Sequence, residues 1–418
     1  MLTAFDLFAG AGGLSTGLEM AGFDVLYANE LSPIYAKTLR ANHPKALVEV
    51  GDIRNVNPSD VMQKLKLKQG ELDLLAGGPP CQGFSINAPI RSREDERNHL
   101  FWTYLEFVRE MQPRFVLIEN VPGMVSFEGG AVVASILTAL QRLGYTASVR
   151  VLFAAHYGVP QMRWRTLFIA RRDGKPADLA YPAPSHKAEG RANFRQTYRG
   201  ISLVVAQTDV ARLAHHPAVT VADAISDLPP VENGGGAREM EYSGGPQSAY
   251  QKRLRRASQK VLYNHECAGL GSANLDRLPH IPPGGSWRDI PFDLLPKGMK
   301  RARRSDHTKR YGRLDPRGIS STILTKCDPH WGTFIHPSQD RVLTVREAAR
   351  IQSFPDAFVF HGSIAEQYEQ VGNGVPPLLA SALGKAIFRE LSNAEEKSRR
   401  IIRDNGYMRA EAQLQLLG

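Results

Sequence analysis

Seven short apolar runs recur through the first 170 residues, and their alternation with stretches of helical length limits the fold more than any other feature of the chain. The runs are Ala4–Ala9, Phe23–Ala28, Ala46–Val50, Leu72–Ala76, Phe115–Ile118, Ser148–Phe153 and Thr166–Ala170. Strands and helices alternating in this rhythm build an open, doubly wound, mostly parallel sheet with helices on both faces. An α/β, Rossmann-like fold is therefore the expectation.

Between residues 186 and 335 the rhythm is lost and the chain turns rich in Pro, Gly and basic residues, with turn clusters such as Asn233-Gly234-Gly235-Gly236 and Pro282-Pro283-Gly284-Gly285. A smaller, irregular second domain is expected there, and a chain of 418 residues has room for it. Helical order resumes at Thr344-Val345-Arg346-Glu347, whose Thr and Glu at i and i+3 fit a capping box. The tail from Ser392 to Arg403 reads as a polar surface helix.

The net charge of +10 matters because of where it lies. Residues 250–313 hold fifteen Lys and Arg against five Asp and Glu, a net of +10, so the rest of the chain sums to zero. An excess confined to one segment points to phosphate neutralisation, with a solvated surface as the plainer alternative. Cys81, Cys267 and Cys327 form no CxxC pair and no disulfide framework, as in a reducing compartment. The opening MLTAFDLFAG lacks a charged signal-peptide start and no apolar run is expected to span a membrane, so the cytoplasm is the expected location. Cys327, His330 and His336 lack a fourth partner at ligand spacing, and no metal site is expected.

Two segments carry chemistry. Phe8, Gly10, Gly12, Gly13 and Leu14 lie in a strand, glycine turn and helix start, where the backbone can approach a ligand and free amides face it. Glu30 ends the second run about 20 residues on, placed to accept hydrogen bonds from ribose hydroxyls. Asp52 after the third run could accept from an adenine amino group while Ile53 packs on the ring. An adenosyl cofactor fits, although a dinucleotide loop would look much alike. The second segment, Gly77-Gly78-Pro79-Pro80-Cys81-Gln82-Gly83-Phe84-Ser85, follows the fourth run at its carboxyl end, where open parallel sheets bind ligands. Its prolines and glycines set Cys81 in a rigid turn instead of a packed strand.

With Pro79-Pro80-Cys81-Gln82, Glu119-Asn120-Val121, Gln161-Met162-Arg163-Trp164-Arg165, Arg346 to Asp356 and Gln370 to Pro377 standing in this order, the chain resembles the DNA (cytosine-5)-methyltransferase family of bacterial type. The resemblance runs from the first ten residues to about residue 385. It implies a class I methyltransferase fold, S-adenosylmethionine as cofactor, Cys81 as nucleophile, Glu119 as acid, and catalytic support from Arg165 and Arg163. It also places Pro80, Asn373 and Val375 beside the cofactor. A catalytic domain of residues 1–185, completed by 345–395, would hold an inserted target-recognition domain of 186–344, with a helical tail at 396–418. Gln82, Ser85, Arg288, Arg301, Arg303, Arg304 and Arg313 are the expected DNA contacts. The implied partner is double-stranded DNA, with a restriction endonuclease of the same specificity as a further candidate, and the enzyme is expected to act as a monomer on nucleoid DNA.

The chemistry accounts for these residue types. Carbon 5 of cytosine is a poor nucleophile, and a thiolate adding to carbon 6 pushes electron density onto it. A proton given to ring nitrogen 3 by Glu119 would stabilise the charge so created. The ring face is inaccessible in a stacked duplex, so the base must leave it, and the loop from Gln82 to His99 is a candidate lid filling the gap. A related enzyme acting on transfer RNA and a silent DNA-binding regulator are the competing readings. A nicotinamide dehydrogenase rests on the glycine turn alone.

Overall fold

The computed structural model describes residues 1–80 and 99–394. Cys81, Gln82, Ser85, the expected lid and the 396–418 tail lie outside these residues. All seven apolar runs are strands of one sheet: β1 (Thr3–Leu7), β2 (Asp24–Glu30), β3 (Leu47–Val50), β4 (Leu74–Gly77), β5 (Phe115–Asn120), β6 (Thr146–Phe153) and β7 (Trp164–Arg171), in the order β3-β2-β1-β4-β5-β7-β6. The helices α1 (Gly13–Ala21), α2 (Pro33–Asn42), α3 (Pro58–Lys64), α4 (His99–Met111) and α5 (Ala131–Arg142) alternate with them.

Successive side chains of a strand point to opposite faces. Ala4, Leu74, Ala76, Phe115 and Leu117 accordingly share one core with Leu14 and Leu18 of α1 and with Leu379 and Leu383 of the helix at 377–394. Phe5, Leu7, Leu75, Val116 and Ile118 share the other with Val61 of α3, Tyr104 and Val108 of α4 and Ile136 and Leu140 of α5. The sheet thus carries helices on both sides.

One strand runs against the rest. β7 pairs antiparallel with both β5 and β6, with Asn120 opposite Thr166 and Leu152 opposite Arg165. The residues that begin β7 therefore sit at the carboxyl end of β5, a juxtaposition the run pattern does not reveal.

The apolar contacts cross the expected boundaries at 186 and 344. Val221, Ala224, Tyr250, Leu254 and Leu262 are buried in the core that contains α1. A separate small core gathers Leu278, Ile281, Trp287, Ile290, Met299 and Tyr311 with Ile335. The irregular region is thus half continuous with the sheet domain and half a satellite.

Buried charge joins the two parts. The capping box at Thr344 and Glu347 forms as expected and opens the helix Val345–Ile351. From that helix Arg350 donates Nε to Asp356 Oδ1 at 2.8 Å and Nη2 to Asp356 Oδ2 at 2.6 Å, while Nη1 reaches Asp227, which follows the helix Val221–Ile225. Against the raising effect of burial, Arg341 holds the Glu347 carboxyl well below its usual range.

One stretch among the described residues, Pro122–Arg142, is long and apolar enough to cross a membrane, contrary to the expectation from the sequence. It is kinked, since Phe127, Glu128 and Gly129 have non-helical angles, and α5 buries Val133, Ile136 and Leu140 against the sheet.

The Arg350 pairing sets a stability test. Arg350→Ala leaves two buried carboxylates facing each other and should lower unfolding stability by about 3–5 kcal/mol. Urea denaturation measures it, and a loss under about 1 kcal/mol would contradict the structural role.

Candidate active site

The carboxyl ends of β1, β2, β4 and β5 open on a cavity of about 670 Å³. Into it converge Phe8, Gly10 and Leu14, then Glu30, Asp52 and Ile53, then Pro80, then Glu119, Arg163 and Arg165, and finally Asn373 and Val375. Segments more than 300 residues apart in the chain thus meet in one cleft.

The glycine turn is shaped by contact. Gly12 has φ +100°, a backbone conformation that favours glycine, and a Cβ there would lie 2.7 Å from His43 Nε2. At Gly13 a Cβ would stand 2.4 Å from the Val375 carbonyl oxygen. The first and last segments of the catalytic domain touch at this point.

Glu30 braces the turn. Its Oε2 accepts the Gly10 N–H at 2.8 Å and its Oε1 accepts the Ser32 N–H at 2.8 Å. Burial raises its carboxyl above the ordinary value despite these bonds. Asp52 caps the turn at Ile53–Asn55 and binds the Arg54 guanidinium, with hydrogen bonds from Arg54 holding its carboxyl below the ordinary value. These carboxylates, the glycine cradle and the start of α1 fit the adenosyl and methionyl parts of S-adenosylmethionine, in which the acids would take ribose and adenine donors.

The wall at the carboxyl end of β5 is an ion pair. Arg165 Nε lies 2.6 Å from Glu119 Oε1, and Arg165 Nη1 donates to the Trp164 carbonyl at 2.8 Å. Glu119 Oε2 faces Gly78, where a Cβ would stand 3.2 Å away. Asn120, unassigned by the sequence reading, donates Nδ2 to the Pro79 carbonyl at 3.0 Å. It ties the end of β5 to the segment that leads into Cys81.

Arg163 departs from the expected role. It is buried, and its Nη2 donates to the Gly372 and Gly374 carbonyls at 2.8 and 3.2 Å while Nη1 donates to the Ile323 carbonyl at 3.2 Å. Burial, then the neighbouring Arg165, pull its guanidinium well below the ordinary value. Its Nη2 is taken by the backbone on either side of Asn373 and its Nη1 by Ile323, which makes it a positioning residue, while its Nε is buried with no hydrogen-bond partner among the described residues. Gln352 joins the same loop, donating to the Val371 and Gly374 carbonyls at 3.0 and 2.6 Å.

Among the expected DNA contacts, Arg301, Arg303 and Arg304 are exposed and Arg288 is partly so. Arg313 is not available. It is buried, donating to the carbonyls of Ile281, Leu278, His336 and Gln339 and pairing with Asp340 at 2.5 Å. A guanidinium with every arm occupied holds the satellite core together and cannot turn to a base. Of the dismissed metal candidates, Cys327 donates to the Leu343 carbonyl and His336 Nδ1 accepts the Ser338 and Gln339 amides.

Asp6, inside β1 and at the floor of the cavity, was also missed. Ser15 Oγ donates to its Oδ2 at 2.6 Å, Oδ1 has no hydrogen-bond partner, and burial pushes its carboxyl up to about 7.

Two outcomes are expected here. Between its ordinary value of 3.8 and about 7, folded Asp6 keeps a proton that the unfolded chain has released, so the stability it contributes falls as pH rises through that window. Wild type should therefore lose up to a few kcal/mol relative to Asp6→Asn between pH 4 and pH 8 in urea titrations; parallel curves would refute this. Gly13→Ala should weaken S-adenosylmethionine binding by roughly tenfold or more and lower the melting temperature as well, because the backbone of the Val375 loop must move, costing more than about 1.4 kcal/mol. Equilibrium dialysis reads it, and unchanged affinity would show that the contact is irrelevant to the cofactor.

Comparison with known proteins agrees with this geometry. Residues 2–389 match the family model for C-5 cytosine-specific DNA methylases. The type II methyltransferase M.AgeI of Thalassovita gelatinovora is 35% identical over 437 residues, covering 92% of this chain and 99% of that protein. The mouse (Mus musculus) DNA (cytosine-5)-methyltransferase 1 is 33% identical over 95% of this chain, which spans 29% of that longer enzyme. A crystal structure described as a DNA modification methyltransferase of an E. coli prophage superposes with a TM-score of 0.69 at 25% identity, covering 94% of this chain and 100% of that one. The chain belongs to the C-5 cytosine-specific DNA methylase family and is an S-adenosylmethionine-dependent DNA (cytosine-5)-methyltransferase.

Proposed function

We propose that this enzyme methylates one cytosine within a specific short duplex sequence by covalent catalysis, with Cys81 as nucleophile, Glu119 as acid and Arg165 as the group that orients Glu119. The observation that carries the proposal is the Glu119–Arg165 pair beside the Gly78-Pro79-Pro80 segment, across one cavity from the cofactor cradle.

The Cys81 thiolate adds to carbon 6 of the flipped cytosine, and the electron pair displaced from the 5,6 double bond moves into the ring. Glu119 gives its proton to nitrogen 3 and so neutralises that charge. Arg165 holds Glu119 Oε1, which leaves the carboxyl plane fixed against the Gly78 turn. S-adenosylmethionine, when bound, supplies the methyl group that carbon 5 takes up. Removal of the carbon 5 proton by a base then expels the thiolate, the 5,6 double bond re-forms, and nitrogen 3 returns its proton to Glu119. Arg163 and Gln352 keep the Gly372–Gly374 turn in register with the glycine cradle throughout.

Arg301, Arg303 and Arg304 supply phosphate or base contacts in the recognition region, their exposure supporting that role. Action as a monomer is part of the proposal. Work in the bacterial cytoplasm, with a restriction endonuclease reading the same sequence, completes the proposal.

Labelled S-adenosylmethionine and unmethylated duplex DNA of mixed sequence test the reading, with the product sequenced at base resolution. Methylation at one short motif, abolished in Cys81→Ser and reduced by roughly a hundredfold or more in Glu119→Gln, is expected. Transfer that survives Cys81→Ser would remove the covalent mechanism, and transfer to transfer RNA alone would change the substrate.

A further inference from the structure

Outside the 250–313 window a second basic segment lies on the catalytic side of the molecule. Lys187, Arg191, Arg195 and Arg199 recur every fourth residue with Glu189 as the sole acid between Ser185 and Leu203, a local net of +3 that leaves the chain outside both basic segments at −3. All four basic residues are exposed, and none forms an ion pair among the described residues.

The segment is a strap with fixed anchors. Phe194 is buried edge-on against Trp164 at 5.4 Å, and Trp164 stacks on Phe153 at 4.5 Å. The Arg195 N–H donates to Ser126 Oγ at 3.0 Å and its Nη1 to the Gly129 carbonyl at 3.3 Å. The Leu203 carbonyl accepts the Val151 N–H at 2.7 Å, closing the strap onto β6. Between Thr197–Tyr198 and Ile201–Ser202 the chain makes a hairpin whose two turn residues, Arg199 and Gly200, have φ of +47° and +80°. Such a two-residue turn usually takes Asn-Gly. Here an arginine bears the left-handed backbone at the tip, with its guanidinium 5.5 Å above the Tyr198 ring.

The strap adjoins the site. Phe194 packs on Trp164, whose carbonyl holds Arg165, which holds Glu119. Ser126 and Gly129 belong to the turn that begins directly after Val121 at the cavity wall. A duplex delivering a base to Glu119 carries phosphates on both sides of the vacated position, and a second basic surface beside the site would take those that the 250–313 segment does not.

We propose that Arg191, Arg195 and Arg199 form a second phosphate-binding surface, which holds the DNA backbone on the catalytic-domain side of the cleft independently of sequence. The proposal rests on duplex DNA as substrate. Contacts of this kind position the duplex and carry no base information. They contribute to affinity through counterion release, each adding about 0.9 to the slope of log affinity against log salt.

The test is titration of a short labelled duplex of mixed sequence across a salt series, using wild type, Arg191→Ala/Arg195→Ala/Arg199→Ala and Arg199→Gly. The triple variant should bind with a slope shallower by roughly two to three, and Arg199→Gly by about one. Melting temperature and S-adenosylmethionine affinity should hold. Under the methylation assay KM for DNA should rise while kcat and the methylated sequence stay the same. Glycine suits the left-handed position, so the single variant keeps the hairpin and decides the matter if the triple variant folds poorly. Unchanged slopes in both variants overturn the strap. A wild-type chain that shows no salt-dependent duplex binding overturns the DNA reading instead.

Discussion

The reversed direction of β7 is the constraint on which the catalytic wall depends. Hydrogen bonding to β5 in antiparallel register sets Thr166 opposite Asn120, so the start of one strand lies beside the end of the other. Only that polarity lets Arg165 reach Glu119 at 2.6 Å. A parallel β7 would have carried both arginines to the far edge of the sheet, about 3.3 Å of rise per residue away along an eight-residue strand. The insertion between β5 and β6 also covers β5 on its open side, which leaves the Glu119 carboxyl between protein walls with its surroundings preset before any base arrives.

Arginine does much of the remaining architectural work. Arg163, Arg171, Arg341, Arg346 and Arg350 are among the largest fully buried side chains. Each spans elements that an irregular backbone could not register by itself: Arg163 joins the start of β7 to the Gly372–Gly374 turn, and Arg171 joins its end to Glu390 of the helix at 377–394. Burying a guanidinium is costly, and fixed carbonyls and carboxylates offset that cost only in one arrangement. The result is a region after residue 186 that is irregular in secondary structure yet held firmly against the sheet. Arg313 shows the same use in the satellite core, and this explains why basic residues there divide into exposed ones and structural ones.

Much of the fold was legible because strand burial leaves a direct imprint on sequence. All seven runs are strands, and the capping box at Thr344 and Glu347 forms as its spacing requires. Most of the cavity lining was legible too: Phe8, Gly10, Leu14, Glu30, Asp52, Ile53, Glu119, Arg165, Asn373 and Val375 all converge on it. What escaped were residues whose work is done through other atoms. Asn120 acts on the Pro79 carbonyl and Gln352 on the Gly374 carbonyl, and an amide side chain in a sequence does not say which distant backbone oxygen it will meet. Asp6 escaped because an acid inside an apolar run looks like noise until its neighbours are known. Arg313 was misjudged because a charge window counts guanidinium groups without asking which of them face water.

The sequence by itself determined the α/β class, the strands and most of the residues that line the cavity, because periodicity and residue type are local properties. The tertiary structure decided strand direction, the pairing of Glu119 with Arg165, the burial of Arg163 and Arg313, and the sharing of one core across the expected domain boundary. These depend on contacts between segments more than 360 residues apart, such as Gly13 against Val375. Such contacts are settled by which packing of the whole chain leaves the fewest buried polar groups unpaired.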